Sequence, residues 1–328
     1  MTEPKASVII PARNSGKNLD RALTALSAQT LRDDFEVIVV DDASTDDTPS
    51  IAKKHGRFVR LIRNEESQGA GAARNRGAET ARASVLAFTD DDCFATPQWL
   101  AAGLEKLHDA DLVQGRVEPD PTARRTPFDR TVVVRGDTGF YQTANLFVRR
   151  DIFEAVGGFR DWVLDDIGGD WSQDRRRGRA FGEDTLFGWS ARRLGARSAF
   201  APEALTHHAV IPGTILDDIA DRWNWARNMP AMARLVPELR ETTFHRRVFF
   251  SQWSAWFDYA LVGLLAGAIT REARWLTAGR PYAQYLREAA RQWSGREAAI
   301  HLLGAPVVDA VTLAGFLAGS VKARSLVL

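Results

Sequence analysis

The chain has 328 residues, of which 45% are hydrophobic and 26% are charged, a balance that excludes collagen, coiled-coil and wholly disordered proteins. Its 43 Lys and Arg nearly balance its 42 Asp and Glu, so no overall positive field favours nucleic acid as a partner. The one cysteine, Cys93, excludes an intramolecular disulfide and favours a reducing compartment. Residues 1–5 lack the basic and apolar regions of a signal peptide, so we do not expect secretion.

Short apolar runs alternate with helical patterns over the first two hundred residues of the chain. Strands are predicted at residues 7–10, 35–40, 59–62, 85–88 and 112–113. Helices are predicted at residues 19–29, 72–81 and 96–107, and a further one beginning near Pro49. Strands that alternate with helices at this spacing indicate an α/β fold with a mostly parallel, doubly wound sheet.

Residues 214–328 have a different character, because strand signals disappear and apolar helical stretches replace them. The stretches at residues 248–269 and 302–321 are each long enough to cross a bilayer. Each contains an aspartate, which costs about 2.5–3.5 kcal/mol at mid-span. We therefore predict two regions, residues 1–213 and a helical region at 214–328 that lies on a membrane surface. A soluble helical subdomain with a large apolar face is the alternative.

Acidic residues follow two of the predicted strands. Asp41 and Asp42 end the second strand, and Asp90, Asp91 and Asp92 follow the fourth. Ligands of open α/β sheets bind at these carboxyl ends. Because adjacent carboxylates raise one another's pKa values, we expect a divalent cation to be held here with substrate phosphate oxygens. A solvated acidic loop is the alternative, and paired acids after a strand also occur in phospho-receiver domains.

The start of the third predicted helix bears on phosphate binding. Residues 69–73 superficially match a dinucleotide-binding glycine pattern, but Arg74 stands where the third glycine is expected, which argues against a Rossmann redox enzyme. Arg74 and Arg76 are candidates for binding a diphosphate through charge-assisted hydrogen bonds; exposed helix arginines are the alternative. We interpret Cys93 as a packing residue, since no positive partner is visible to activate its thiol.

A series of motifs in order resembles the inverting nucleotide-sugar glycosyltransferases of family 2. The motifs lie at residues 8–14, 39–46, 73–77, 88–92, 143–150, 157–159 and 181–186. The resemblance covers roughly residues 6–212 and implies a GT-A fold, in which a Rossmann-like sheet is flanked by helices. It implies a bacterial, membrane-associated type of enzyme with a nucleotide-sugar donor and a glycan or lipid-linked saccharide acceptor. It also implies Mn²⁺ or Mg²⁺ as cofactor.

The resemblance implies a donor and metal role for each matching position. Its donor-nucleotide residues are Pro11, Arg13, Asp41, Asp42, Arg74, Asp90 and Asp91. Asp42 matches the acid that binds the nucleobase. Asp90 and Asp92 match the outer residues of the Asp-x-Asp motif, so both are expected near the metal and Asp92 is its main ligand. Residues 202–208 are similar to a segment whose histidine supplies a further ligand, and His208 fits this role better than His207.

The resemblance also implies the acid–base chemistry. Asp184 matches the general base that deprotonates the acceptor hydroxyl, and Glu183 is its neighbour. A hydroxyl is a poor nucleophile and needs a carboxylate within hydrogen-bond reach, while the departing nucleoside diphosphate needs a cation. Attack opposite the leaving group inverts the anomeric carbon. The ordinary enrichment of acids in a first helical turn is the alternative.

The charged segment at residues 161–180 is long for a connector. We expect it to bind the acceptor, with Trp162 and Trp171 stacking on sugar faces and Arg175 and Arg176 meeting an anionic group. A solvated loop is the alternative.

Two other functions remain open at the level of the sequence. A nucleotidyltransferase acting on sugar phosphates would also use a carboxylate-held metal, but it has less need of Glu183 and Asp184. A non-catalytic, membrane-associated nucleotide-sugar-binding protein would retain the pocket without turnover. The intact acids at positions 42, 90, 92 and 184 favour an enzyme. We expect this enzyme to lie on the inner face of the cell membrane, bound either peripherally or integrally.

Overall fold

The computed structural model describes residues 3–31, 34–160 and 181–328. The chain forms two compact units, which we call unit 1 and unit 2. In the described part of the chain, unit 1 comprises residues 3–31, 34–123, 131–160 and 181–210, and unit 2 comprises residues 124–130 and 211–328. The segment at residues 124–130 was not part of the predicted second region, because nothing in its own sequence marks it as belonging there.

Unit 1 contains an eight-stranded sheet in its described residues. The strands are β1 (Ala6–Ala12), β2 (Phe35–Asp41), β3 (Val59–Arg63), β4 (Val85–Thr89), β5 (Cys93–Ala95), β6 (Leu112–Pro119), β7 (Asn145–Arg149) and β8 (Ser198–His208). Their order across the sheet is β3-β2-β1-β4-β7-β6-β8-β5. Four neighbouring pairs are parallel, and β7 and β5 pair antiparallel with their neighbours. The predicted α/β fold with a mostly parallel sheet is confirmed.

Helices flank this sheet as the alternating pattern predicts. They are α1 (Gly16–Ser27), α2 (Thr48–Lys54), α3 (Ala70–Thr80), α4 (Trp99–Lys106), α5 (Arg150–Val156) and α6 (Glu183–Arg193). In α1 the apolar side chains of Leu19, Leu23 and Leu26 are buried in the main core. This helix begins at Gly16, three residues before the predicted start at residue 19.

β5 and β8 were not among the strands predicted from the sequence. β5 has only three residues, and β8 carries Pro202 and Glu203 where an apolar alternation would be expected. The register between β6 and β8 shifts after Gly115. Asn145 fills this irregularity, since its side-chain amide donates to the Arg116 carbonyl at 2.8 Å and to the Ala204 carbonyl at 2.7 Å. A buried amide thus satisfies the backbone that the shift leaves without sheet partners.

An aromatic cluster connects α6 to the sheet. Phe187 of α6 lies 4.8 Å from Phe159 and 5.4 Å from Phe153 of α5, measured between ring centroids. Phe159 also lies 5.0 Å from Phe88 of β4. The side chain of Asn75 on α3 holds the backbone of Phe159 through two hydrogen bonds of 2.7 and 2.8 Å. The start of α6, which carries Glu183 and Asp184, is therefore fixed by packing against rings buried in the core.

Unit 2 is helical in its described residues. It contains α7 (Ile215–Leu235), α8 (Leu239–Thr242), α9 (Gln252–Thr270), a 3₁₀ segment (Ala273–Gly279), α10 (Arg280–Ala290) and α11 (Gly295–Ala323). α9 and α11 coincide with the two predicted apolar stretches. α11 approaches α7 so closely that a Cβ added at Gly319 would lie 2.2 Å from the Arg227 carbonyl oxygen. Within the residues described, α11 alone is long and apolar enough to cross a membrane, judged by length and composition.

Candidate active site

A cavity of about 370 Å³ opens in unit 1 at the carboxyl ends of β1, β2 and β4. Eight of the sequence-predicted residues line it: Pro11, Arg13, Asp42, Arg74, Asp90, Asp91, Asp92 and His208. They come from five separate parts of the chain, and the parallel strands β1, β2 and β4 bring three of these parts to one edge of the sheet. We call this cavity the donor pocket, after the donor-nucleotide residues of the sequence-based expectation that line it.

The Asp42 carboxylate is buried and accepts four hydrogen bonds from one loop. Asn64 Nδ2 and Ser67 Oγ each donate at 2.7 Å, and the backbone amides of Gln68 and Gly69 donate at 2.9 and 3.0 Å. Burial alone would raise the pKa of Asp42, but these hydrogen bonds outweigh it and lower the pKa. Asp42 therefore fixes the loop between β3 and α3, and all four acceptor positions of its carboxylate are used within the chain.

Asp41 lies in the turn beneath the donor pocket and does not line it. Its carboxylate is fully buried, accepts a hydrogen bond from the Ser44 amide at 3.1 Å, and lies 3.4 Å from Arg63 Nε. Its position therefore supports the shape of the turn, whereas its neighbour Asp42 faces the pocket.

The acidic run after β4 holds three carboxylates in different environments. Burial, followed by the charges of Asp92 and Asp90, raises the pKa of Asp91 to about 7, although the Arg13 amide donates to it at 3.3 Å. Burial also raises the pKa of Asp92, an effect that His208 opposes and Asp90 reinforces. The structure thus concentrates negative charge in the pocket at a cost in free energy, which a bound cation would offset.

Arg74 connects the donor pocket to the acidic start of α6. Its buried guanidinium donates to Asp90 at 2.7 Å through Nη2, and its Nη1 lies 3.6 Å from Glu183. Burial would lower the pKa of Arg74, but Asp90 and Glu183 outweigh it and raise the pKa. One cation is therefore shared between a residue of the donor pocket and the Glu183–Asp184 pair, and both sets of acids belong to one site.

Asp184 lies in the first turn of α6, half-buried beside Glu183. Burial and the neighbouring Glu183 charge raise its pKa to about 7, while the Thr185 amide and Arg74 pull it back. The Thr185 amide donates to Asp184 Oδ1 at 2.7 Å, and no donor among the described residues reaches Oδ2. A carboxylate with a pKa near neutrality can accept a proton at physiological pH.

His208 and Asp92 face each other across the pocket. His208 Nε2 lies 3.4 Å from Asp92 Oδ1. His208 Nδ1 lies 2.7 Å from the Ala209 carbonyl oxygen, which can only accept, so Nδ1 carries the proton. In the neutral ring the lone pair of Nε2 then points toward the carboxylate. This donor set fits a divalent cation, since a proton on Nδ1 leaves Nε2 as the ring nitrogen that would bind the cation beside a carboxylate oxygen of Asp92.

Cys93 lies next to this pair, because it is the cross-strand partner of His208 between β5 and β8. Its sulfur is within 4.8 Å of the ligand atoms of Asp92 and His208. Burial, together with Asp90 and Asp92, raises the pKa of the thiol well above its usual range. The thiol also packs in an apolar cluster with Val117 and Ala144, in agreement with its interpretation as a packing residue.

Four sequence-predicted acceptor residues, Trp162, Trp171, Arg175 and Arg176, lie outside the described residues. The sequence reading also missed residues that organise the site. Asn64 and Ser67 hold Asp42, and Phe159 and Phe187 hold α6. A polar residue in a connecting loop gives no periodic signal, so only the three-dimensional contacts reveal the roles of Asn64 and Ser67.

Part of the chain is similar in sequence to known glycosyltransferases. Residues 7–160 match Glycosyl transferase family 2. Glycosyltransferase AglE of Haloferax volcanii is 35% identical over 183 residues, which cover 52% of this chain and 60% of AglE. The putative glycosyltransferase EpsH of Bacillus subtilis is 34% identical over 116 residues, covering 34% of this chain and 33% of EpsH. The chain thus matches 60% of the length of the first of these relatives and a third of the second.

Solved structures extend the likeness to nearly the whole chain. The mannosyltransferase PcManGT from Pyrobaculum calidifontis, in complex with GDP-Man and Mn²⁺, has a TM-score of 0.55 and 20% identity, covering 99% of this chain and 88% of PcManGT. S. aureus TarS 1-349 in complex with UDP-GlcNAc has a TM-score of 0.52 and 19% identity, covering 98% of this chain and 92% of that one. At these identities the likeness shows a shared fold.

Proposed function

We propose that the chain is a metal-dependent, inverting glycosyltransferase, a proposal supported by the match of residues 7–160 to Glycosyl transferase family 2 and by the GT-A fold shared with solved structures. It moves a sugar from a nucleotide-sugar donor to a hydroxyl group of a glycan or lipid-linked acceptor. One observation carries this proposal: Arg74 joins Asp90 of the donor pocket to Glu183 at the start of α6. A leaving-group site and a candidate base are therefore parts of one constellation.

Asp92 and His208 are the residues that would hold a divalent cation, with Asp90 nearby. The Nδ1 proton of His208 is committed to the Ala209 carbonyl, so Nε2 is free to ligate. When bound, the cation supplies positive charge for the departing nucleoside diphosphate. Mn²⁺ and Mg²⁺ both suit this donor set, and the Mn²⁺ that accompanies GDP-Man in PcManGT favours testing manganese first.

Asp184 is the proposed general base. Its deprotonated carboxylate accepts the proton of the acceptor hydroxyl, which then attacks the anomeric carbon opposite the diphosphate. Its pKa of about 7 matches this task, because a base is most effective when its pKa is close to the working pH. Glu183 keeps that pKa high, and Arg74 limits the rise while it holds Asp90.

Unit 2 supports a location at a membrane surface on the cytoplasmic side. Large apolar side chains are exposed along α9, among them Val262, Leu265 and Ile269. Soluble monomers rarely leave such surface uncovered over a contiguous area. Arginines follow α9 directly at Arg271 and Arg274, and cations beside an apolar helix face suit an anionic bilayer.

Donor binding and turnover can be tested separately. The melting temperature is measured with UDP-, GDP- and dTDP-sugars, each with and without Mn²⁺, because a ligand that binds the folded state raises it. We expect one nucleotide to raise it only when Mn²⁺ is present, and Asp92→Asn to abolish that rise. Asp184→Asn should retain the rise and lose transfer by at least about a thousandfold, since it removes only the base.

The control is Glu154→Gln, which neutralises an exposed carboxylate on α5 and should leave both readouts unchanged. A loss of donor binding in Asp184→Asn equal to that in Asp92→Asn would move Asp184 to the donor side. Release of pyrophosphate instead of a nucleoside diphosphate would identify a nucleotidyltransferase.

A further inference from the structure

A second and larger cavity lies entirely within unit 2. Its volume is about 860 Å³, within the range of small-molecule binding sites. The segment at residues 124–130, the start of α7 and the first turns of α11 form its walls. None of the donor-pocket residues lines it, so a ligand bound here would not be the nucleotide sugar of the proposed reaction.

One wall of this unit 2 cavity is apolar. Phe128, Ile215, Ile300 and Leu303 contribute it. Phe128 packs against α11 at Gly304, where an added Cβ would lie 2.4 Å from the ring. Close packing on the inner side therefore fixes the wall, while the opposite side of the cavity remains open to a ligand.

The same apolar surface continues out of the cavity along α11. Leu303 lines the cavity although 78% of its surface is exposed, and Ile300 and Val307 are exposed as well. These residues are three and four positions apart, so they share one face of the helix. An apolar stripe that runs from a cavity to the protein surface fits a hydrocarbon chain better than a compact soluble ligand.

The polar part of the cavity lining carries an excess of positive charge. Arg124 and Arg296 both line it, against the single carboxylate of Glu297. Glu297 pairs with Arg124 at 3.2 Å. Arg296 forms no ion pair within the described part of the chain, and its side chain is exposed. An anionic group would therefore find one guanidinium already oriented by Glu297 and a second one free to bind.

We propose that the unit 2 cavity binds one anionic phospholipid from the membrane. The phosphate contacts Arg124 and Arg296, and one acyl chain lies along Phe128, Ile300 and Leu303. The charge of the lining selects an anionic head group, and the apolar stripe continues toward the rest of the lipid. The proposal goes beyond glycosyl transfer, and it gives unit 2 a specific lipid site in addition to a general apolar face.

The probe is dihexanoyl-phosphatidylglycerol, kept below its micelle-forming concentration so that no membrane is needed. Isothermal titration with the full chain should give saturable binding of one molecule. Dihexanoyl-phosphatidylcholine tests for the apolar contact without net negative charge, and inorganic phosphate tests for the anion without a chain. We expect both to bind at least about tenfold more weakly, a loss of about 1.4 kcal/mol each.

Two variants at the cavity should weaken phosphatidylglycerol binding at least fivefold: Arg296→Gln, which removes the free cation, and Leu303→Glu, which places a charge on the apolar wall. The matched controls are Arg291→Gln, an exposed arginine outside the cavity, and Val321→Glu on the same helix, where 82% of the side chain is exposed. Both controls should bind as the unchanged chain does. All substitutions are at exposed positions, and melting curves check that each variant is folded.

Several results would overturn the proposal. Binding that never saturates, or equal losses in the cavity variants and the controls, would indicate adsorption without a site. Equal affinity for phosphatidylcholine would indicate an apolar contact only, and equal affinity for inorganic phosphate would indicate an anion site without a chain. The rise in melting temperature with nucleotide sugar and Mn²⁺ is measured on the same samples, so a failure of the lipid site is distinguished from a failure of the proposed enzyme activity.

Discussion

Asp184 is the residue whose chemistry depends most on its neighbours. Burial and Glu183 raise its pKa to about 7. Because a base must be deprotonated to act, kcat/KM should rise with pH and level off above about 7. Glu183→Gln removes a negative charge that raises this pKa, so the midpoint of the profile should move to lower pH. Rates measured between pH 5 and 9 test this, and a midpoint that stays in place or rises would exclude Asp184 as the titrating base.

Replacement of Arg74 should shift the midpoint of the pH profile in the direction opposite to replacement of Glu183. Arg74→Gln removes the cation that lowers the pKa of Asp184, so the midpoint should move to higher pH. Loss of the charge-assisted hydrogen bond to Asp90 should also reduce kcat/KM by about 10- to 100-fold, corresponding to about 1.5–3 kcal/mol. The exposed Arg57→Gln serves as the control. If the two variants behave alike in rate and in midpoint, Arg74 does not link the two halves of the site.

Residue by residue, the sequence predicted which side chains meet but not what holds them. Asp42, Asp90, Asp92 and His208 do line one pocket, because the ends of neighbouring strands meet at one edge of the sheet. The sequence did not predict that the Asp42 carboxylate accepts four hydrogen bonds from residues 64–69. Loop conformation decides it, and no periodic pattern encodes a loop.

At the scale of elements, prediction succeeded where one face of a segment is buried. α1 and the strands β1 to β4 show clear apolar patterns and were predicted. β8 was missed because half of its length pairs beyond a register shift that Asn145 stabilises. The aromatic contacts that position α6 connect Phe88 to Phe187 only through Phe153 and Phe159, and long-range packing of this kind leaves no local signal.

Glycine in α4 illustrates how closely these elements approach. A Cβ added at Gly103 would lie 2.3 Å from the ring of Phe147 on β7, which is fully buried. Gly103→Ala should therefore destabilise unit 1 by about 1–3 kcal/mol through overpacking, despite the gain in helix propensity. Chemical denaturation measures the loss. Phe147→Leu in the same chain should recover part of it by making room, and additive effects of the two substitutions would contradict a direct clash.

At the scale of the whole molecule, the donor pocket and the apolar helices belong to different units. All residues that line the donor pocket belong to unit 1, and both apolar helices belong to unit 2. A chain that ends at residue 213 would still contain the segment at residues 124–130, which belongs to unit 2. Phe128 is buried against Gly304 and Ile215, so removal of residues 214–328 exposes its ring and creates an apolar patch.

This arrangement leads to a prediction for a chain that ends at residue 213 and carries Phe128→Ser. It should bind the donor nucleotide with Mn²⁺ within about twofold of the full chain, since the pocket residues are all retained. It should no longer sediment with vesicles that contain anionic lipid, whereas the full chain should sediment with them and be partly released by high salt. The same truncation without Phe128→Ser should aggregate more readily. Sedimentation of the shortened chain with vesicles would assign membrane binding to unit 1, and loss of nucleotide binding in a folded shortened chain would mean that the donor pocket depends on unit 2.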